Sequence, residues 1–287
     1  MSASDPRRTI AFQGHPGAYS HLVCREAFAD YQVLACESFE DVFAAVREGR
    51  ARLAMIPVDN TVAGRVADVH HLLPHGGLHI VGERFLRVRH HLLGVPGARL
   101  ETVRTVLSHT HALGQCRAFL RRHGYRSRVV ADTAGAAMEV AAAKDPSLAA
   151  IASELAAEIY GLEILASDIE DAEHNTTRFL LLAREPAYPP AGSGPVITSF
   201  LFRVRNVPAA LYKALGGFAT NGVNMLKLES YIDGSFTQAQ FYADIMGHPE
   251  DRSVALAFEE LRFFAQEVEI LGVYPADPFR IAMAERA

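Results

Sequence analysis

The chain has no stretch approaching 18 uninterrupted apolar residues, so a membrane-spanning helix is not expected, and its opening MSASDPRRTI lacks the apolar run of a secretory leader. The expectation is a soluble protein of the cytoplasm. Cysteine is scarce: Cys24, Cys36 and Cys116 are odd in number and have no CxxC spacing, which argues against a disulfide framework and against a thiolate zinc site. Positive charge is not in excess either. With 28 Lys and Arg against 33 Asp and Glu, the net charge of −5 gives no electrostatic reason to expect nucleic acid or an anionic membrane as partner. Also missing are HExxH, GxSxG and a Gly-rich phosphate loop after a strand, the marks of metal, acyl-transfer and nucleotide chemistry. The pairs His70/His71 and His90/His91, with His109 and His111, have no i, i+4 spacing beside a carboxylate. They read as surface or cleft histidines, and a metal site is not expected.

What is present is a globular composition, 49% hydrophobic and 21% charged, on a chain long enough for two domains. The segment 184–195 (REPAYPPAGSGP) holds four prolines and two glycines, cannot sustain a helix or central strand, and is read as a linker. Before it, residues 1–183 alternate short apolar runs (RTIAFQG, QVLACESF, RLAMIPVDN) with helix-length stretches (HLVCREAF, EDVFAAVREG), the rhythm of a largely parallel sheet covered by helices. Asp41–Arg47 sets Val42, Ala45 and Val46 on one face and predicts an amphipathic helix ending near Gly49. A second series begins near His79 and includes a helix over Ala112–His123, a strand RSRVVA and an alanine-rich helix around Ala134–Ala143. With a strand at Ala149–Ile151 and a return strand at Arg178–Ala183, the expectation is two α/β lobes, crossed more than once, with a cleft between them. After the linker, residues 196–280 read as a strand at Ile197–Val204, a helix at Pro208–Thr220, strands NGVNMLKLESYI and QAQFYADIMG, a helix at Ser253–Gln266 and a strand at Glu267–Val273. That βαββαβ order is ferredoxin-like and suits a binding or pairing module.

Three polar clusters could carry chemistry. Asn60, flanked by Asp59, Thr61 and Gly64, ends the apolar run LAMIP, the strand end at which open α/β sheets bind ligands; an Asx turn is the ordinary alternative. In VLSHTHALGQC, Ser108 and Thr110 precede a helix start that suits a carboxylate, although an N-cap serine explains it as well. In NTTRF, Asn175, Thr176, Thr177 and Arg178 stand before the apolar strand FLLLA: an arginine can clamp a carboxylate and a threonine can donate to a leaving oxygen, while a capped loop with a surface arginine is the plain reading. His15, in FQGHPGAYS, lies in a turn whose glycines could let the backbone approach a ligand.

Together these segments resemble the prephenate dehydratase family. FQGxxGAYS is met by Phe12–Ser20, IPxxNxxxGxV by Ile56–Val66 with Asp59 and Thr61 where glutamate and serine are common, SHxxALxQC by Ser108–Cys116, and the Thr-Arg-Phe motif by Thr177–Phe179, in family order. The resemblance implies a two-lobed catalytic domain similar to type 2 periplasmic binding proteins, no cofactor, and conversion of prephenate to phenylpyruvate, water and carbon dioxide on the route to phenylalanine. It implies a hydrogen-bonding or proton-relay role for Thr177, with Asn60, Ser108 and Gln115 as polar partners. Arg178 would serve in carboxylate binding or site architecture, with Thr61, Asn175 and Thr176 beside it. Residues 196–280 resemble an ACT domain, which implies an L-phenylalanine effector near Ala210, Leu211, Asn224, Leu226, Glu229 and Ser230 and a homodimer or homotetramer built on paired ACT domains. Two signatures are altered: Ala209 replaces the glycine of GAL, and Tyr231 and Ile232 stand where ESRP has arginine and proline. Arogenate dehydratase, with the same fold and chemistry, and a non-catalytic small-acid sensor are the alternatives.

Overall fold

The computed structural model describes residues 5–232 and 239–286 and divides into two compact units, one running up to Leu72 together with Arg84–Phe179, the other comprising Leu73–Glu83 and the chain from Leu180 onward. The elements of the first part of the chain are β1 (Thr9–Gln13), α1 (Tyr19–Ala27), β2 (Gln32–Cys36), α2 (Phe39–Arg47), β3 (Leu53–Asn60), β4 (Gly64–Arg65), α3 (Ala67–Leu72) and β5 (His79–Arg87). There follow β6 (His91–Gly94), β7 (Thr105–Ser108), α4 (Thr110–Gln115), α5 (Arg117–His123), β8 (Arg126–Val129), α6 (Thr133–Ala143), β9 (Leu148–Ala152), α7 (Glu154–Tyr160), β10 (Glu163–Ala166) and β11 (Thr176–Ala183). The unit boundary falls within β5 and β11.

This is an α/β fold with two sheets. One runs β2-β1-β3-β11-β5, with β4 hairpinned onto β3; the other runs β10-β6-β9-β7-β8. Strands β1, β2 and β3 pair in parallel and bury Ile10, Ala11, Phe12, Ala54, Met55 and Ile56 completely, as continuous apolar runs covered on both faces require. The second sheet is mixed, because β6 runs antiparallel to both β9 and β10. The chain crosses between the sheets at 88–90 and again at 167–175. Helix α2 starts ahead of Asp41 because Ser38 Oγ accepts the Asp41 N–H while the Asp41 carboxylate accepts the Ser38 N–H, a capping box. Its buried face is the expected Val42, Ala45 and Val46, joined by Phe43.

The single helix expected over Ala112–His123 is two helices, broken at Cys116. The cause lies far along the chain. Asp171 donates its N–H to the Gln115 carbonyl at 2.6 Å, and its carboxylate accepts the Ala118 N–H at 3.1 Å, so it supplies to α5 the anionic cap that its own sequence lacks.

The second unit continues with β12 (Val196–Val204), α8 (Ala210–Thr220), β13 (Met225–Ile232), β14 (Ala239–Met246), α9 (Arg252–Phe264), β15 (Ala265–Pro275) and α10 (Pro278–Ala284), while 184–195 forms neither helix nor strand. The βαββαβ order is as read from the sequence, and its strands form the antiparallel sheet β13-β14-β12-β15; Gln238, the first residue of the expected QAQFYADIMG strand, lies outside the described residues. One face of the sheet packs Phe200, Phe202 and Phe241 against Phe218 of α8 and Phe258 of α9. Helix α8 starts at Ala210 instead of Pro208, because the chain first turns through Ala209 in the left-handed region, φ 60°. Close approach fixes Gly272, where an added Cβ would lie 2.1 Å from the Ile80 carbonyl oxygen. Helix α10, which hydrophobic patterning did not reveal, is anchored by Arg280, bidentate to the fully buried Glu83 at 2.7 Å for both contacts. Among the described residues no helix is long and apolar enough to cross a membrane.

Candidate active site

A cavity of about 550 Å³ in the first unit is lined by Asn60, Arg65 and Thr177 from strands of the first sheet and by His109, Gln115 and Asp132 from the helices and helix starts that follow strands of the second. Tyr19, His90 and Phe179 also line it. The end of β3 turns sharply into β4, and in that turn Asn60 Oδ1 accepts two backbone N–H groups, from Val62 at 2.9 Å and Ala63 at 2.7 Å. The Asx turn and the site are therefore the same feature. With its oxygen fixed, Asn60 Nδ2 donates one proton to Asn175 Oδ1 at 2.8 Å and the other to Thr177 Oγ1 at 2.9 Å. Asn175, 1% exposed, passes the order on: its Nδ2 donates to Gln115 Oε1 at 2.9 Å. Gln115 Oε1 also lies 2.8 Å from His90 Nε2, and His90 Nδ1 lies 2.7 Å from the Tyr19 hydroxyl.

Thr177 accepts from Asn60, and among the described residues its own hydroxyl proton has no acceptor, although the side chain is only 9% exposed. The Gln115 NH₂ group is likewise without an acceptor among the described residues. The cavity is thus offered two neutral donors whose direction is set by groups behind them. Burial lowers the pKa of His90, against the raising influence of its bond to Gln115 and of Glu170 nearby, and burial foremost raises that of Tyr19 well above the ordinary phenol value. Neutral imidazole and neutral phenol are the favoured forms. Burial also raises the Cys116 thiol, which argues against a thiolate here.

The other candidate residues are placed differently. Along β11 successive side chains face opposite sides, so Thr177 and Phe179 reach the cavity while Thr176 and Arg178 do not. Arg178, 6% exposed, instead lies 3.8 Å from Asp59, which His70 also approaches at 3.9 Å. Thr61 is occupied in joining the β3 turn to β11: its Oγ1 donates to the His174 carbonyl at 2.7 Å and accepts the Thr176 N–H at 2.9 Å. Ser108 is neither a cavity residue nor an N-cap, since it is fully buried and donates to the Ile151 carbonyl at 2.6 Å, while His109 caps α4. Of the histidines expected at the surface or in a cleft, His90, His109 and His111 line the cavity, while His70 and His91 are buried away from it. Of the two glycines of the GHPG turn, Gly14 lines the cavity, whereas Gly17 packs on protein: a Cβ on Gly17 (φ 94°) would come 2.8 Å from Ala156 Cα. His15 reaches across the turn to Asp132, the N-cap of α6, at 2.7 Å. Tyr19 and His90 were missed as site residues because their partners, one another and Gln115, are remote in sequence, and Arg65 was missed although it lies within the IPxxNxxxGxV segment.

A sequence profile described as "Prephenate dehydratase" matches residues 10–187. The chain belongs to the prephenate dehydratase family. The family is one of lyases, so the chain is an enzyme of that class. A Komagataeibacter europaeus relative named as a bifunctional N-acyl-homoserine lactone acylase/prephenate dehydratase is 54% identical over 275 residues, covering 95% of this chain and 98% of the relative. An Arabidopsis thaliana relative named arogenate dehydratase/prephenate dehydratase 1 is 40% identical, covering 96% of this chain and 74% of the relative. The crystal structure of an Arthrobacter aurescens prephenate dehydratase in complex with L-Phe is similar with a TM-score of 0.86 at 28% identity and 97% coverage of both chains.

Proposed function

We propose that the cavity binds prephenate and converts it to phenylpyruvate, carbon dioxide and water, with residues 1–183 forming the catalytic domain as two lobes similar to type 2 periplasmic binding proteins. The observation that carries the reading is the Thr177 hydroxyl, which accepts from Asn60 at 2.9 Å and keeps its own proton for the cavity. In the reaction the C–CO₂⁻ bond breaks, its electron pair enters the ring, and the ring hydroxyl leaves as hydroxide that takes up a proton. Aromatisation supplies the driving force, so the protein has to orient a dianion and stabilise the departing oxygen. Thr177 donates a hydrogen bond to that oxygen, and the Gln115 amide supplies a second donor. Arg65, the one arginine among the described lining residues, suits a substrate carboxylate, while Arg178, turned to Asp59, serves the architecture behind Thr177.

The test is product formation from prephenate at mildly alkaline pH with wild type, Thr177→Ala and Thr177→Val. Phenylpyruvate from the wild type with a kcat loss of about 10²- to 10⁴-fold in both variants is expected; unchanged variants would sink the assignment. Turnover of arogenate alone would move the substrate to arogenate, one of the two in the Arabidopsis relative's name. Binding without turnover would favour a small-acid sensor. Acyl transfer, the other activity in the Komagataeibacter relative's name, needs a hydroxyl paired with a base. Among the described cavity residues the close hydroxyl–imidazole pair is Tyr19 with His90, held within the network, so an N-acyl-homoserine lactone belongs in the same assay as the discriminating substrate.

Residues 196–280, after the 184–195 linker, form an ACT regulatory domain that binds L-phenylalanine between copies in a homodimer or homotetramer of the cytoplasm. The βαββαβ order and the effector in the Arthrobacter structure's description support this reading. Of the candidate contacts, Ala210 is buried at the start of α8 and Leu211 packs on the core. Asn224 accepts the Met246 N–H through its carbonyl, and Leu226 lies at a register shift of β13, followed on that strand by Glu229 and Ser230. A phenylalanine titration that moves neither activity nor thermal midpoint would count against it.

A further inference from the structure

We infer that His90 is a positioning residue of this active site, held as the Nε2–H tautomer so that it turns the Gln115 amide to present its NH₂ group to the substrate. The inference rests on the reading of the cavity just given, and each link in it is forced by the one before. The backbone can only donate at Val62 and Ala63, so the atom of Asn60 that receives both N–H groups is the oxygen. Its nitrogen must then face Asn175 and Thr177. The atom of Asn175 that receives that proton is its oxygen, which leaves its nitrogen, a donor, toward Gln115. The Gln115 atom shared by Asn175 and His90 is therefore an oxygen and has no proton to give, so His90 Nε2 at 2.8 Å supplies one.

A neutral imidazole protonated at Nε2 has its lone pair at Nδ1, and the Tyr19 hydroxyl, 2.7 Å away, is the donor that meets it. The same hydroxyl lies 2.8 Å from the Arg89 carbonyl oxygen, which gives its proton one alternative acceptor. His90 is 2% exposed, so water does not compete for either nitrogen. The outcome is decided at Gln115. With its oxygen held from two sides, the part of the amide left for the cavity is the NH₂ group. Without the His90 proton the amide could turn over and offer its oxygen to a dianion, which repels it.

The variants His90→Gln and His90→Asn separate this role from simple packing, because a glutamine amide reaches the place of Nε2 and can still donate, while an asparagine amide reaches only that of Nδ1. In the full chain, His90→Asn is expected to lower kcat by about 10- to 100-fold through misplacement of Gln115, and His90→Gln to restore most of it. Independently of turnover, ¹⁵N-resolved NMR of the wild type, assigned by loss of the signal in His90→Gln, should show a protonated Nε2 and an unprotonated Nδ1. A protonated Nδ1 with bare Nε2, or equal kcat in wild type and His90→Asn, would overturn the inference. If the wild type makes no phenylpyruvate, the proposed reaction fails, and the NMR signature still decides the hydrogen-bond order.

Discussion

Two polar networks in this chain differ in what they leave over. In the first unit, Asn60, Asn175, Gln115, His90 and Tyr19 form a run of bonds that ends with the Thr177 hydroxyl proton and the Gln115 NH₂ group directed at a cavity. In the second unit, Ser199, Tyr242, Asp244 and Tyr274 are each 0–1% exposed, and the Ser199 hydroxyl stands at the centre, donating to Asp244 Oδ1, 2.7 Å from the Tyr274 hydroxyl and accepting from Tyr242 at 3.2 Å. Both obey the rule that buried polar groups find partners. The second closes round one hydroxyl and holds a sheet face together. The first has a closed back and an open front, the arrangement by which a folded chain can aim hydrogen bonds at a molecule that is not yet there.

Four outcomes would sharpen or break this contrast. The largest is in rate: Thr177→Val should remove the hydroxyl proposed as donor to the leaving oxygen, with the kcat loss given above, yet destabilise by only about 1 kcal/mol, since one Asn60 N–H loses its acceptor. The converse is Ser199→Ala, expected to cost about 1–3 kcal/mol in chemical denaturation by removing the hydroxyl that Asp244 and the two tyrosines share, with prephenate turnover unchanged. Equal effects of the two substitutions on both properties would erase the distinction.

The third concerns pH. Burial lowers the pKa of His90, so below the ordinary histidine value of about 6.5 the unfolded chain binds a proton that the folded chain resists. The contribution of His90 to stability is complete above that pH and is lost as pH falls toward its lowered folded value. His90→Gln should flatten that part of the melting-temperature profile, while His21 and His109, lowered foremost by burial as well, keep theirs. The smallest outcome is a gain: Ala209→Gly relieves a left-handed alanine ahead of α8 and should stabilise by about 0.5–1 kcal/mol, set by the balance of relieved strain and greater freedom of the unfolded chain.

Much of the fold was legible because local and global preferences agree. The apolar runs of β1 and β3, the one-sided spacing in α2 and the βαββαβ pattern after the linker all describe themselves. Within the site, Asn60 and Thr177 were legible from strand ends and the family motif. The opposite facing of Thr177 and Arg178 was also available, since adjacent strand residues point apart, but reading NTTRF as one cluster concealed it. Ser108, His90 and the break at Cys116 were not legible. Each is decided by a partner distant in sequence: Ile151 for Ser108, Tyr19 and Gln115 for His90, Asp171 for the break. Periodicity within a window carries no trace of such partners.

The segment 167–175 joins two of these anchors. At Asp171 it grips the Gln115 carbonyl and the start of α5, and at Asn175 it enters the hydrogen-bonded run that reaches Thr177 through Asn60. It therefore works as a ruler as well as a connector: the number of residues between Asp171 and Asn175 sets the spacing of the two donors in the cavity. Surface loops commonly vary in length among related proteins, and the 184–195 stretch has the composition to do so. A single residue inserted between Asp171 and Asn175 would shift one donor against the other, so length, more than residue identity, is the quantity that this stretch has to preserve.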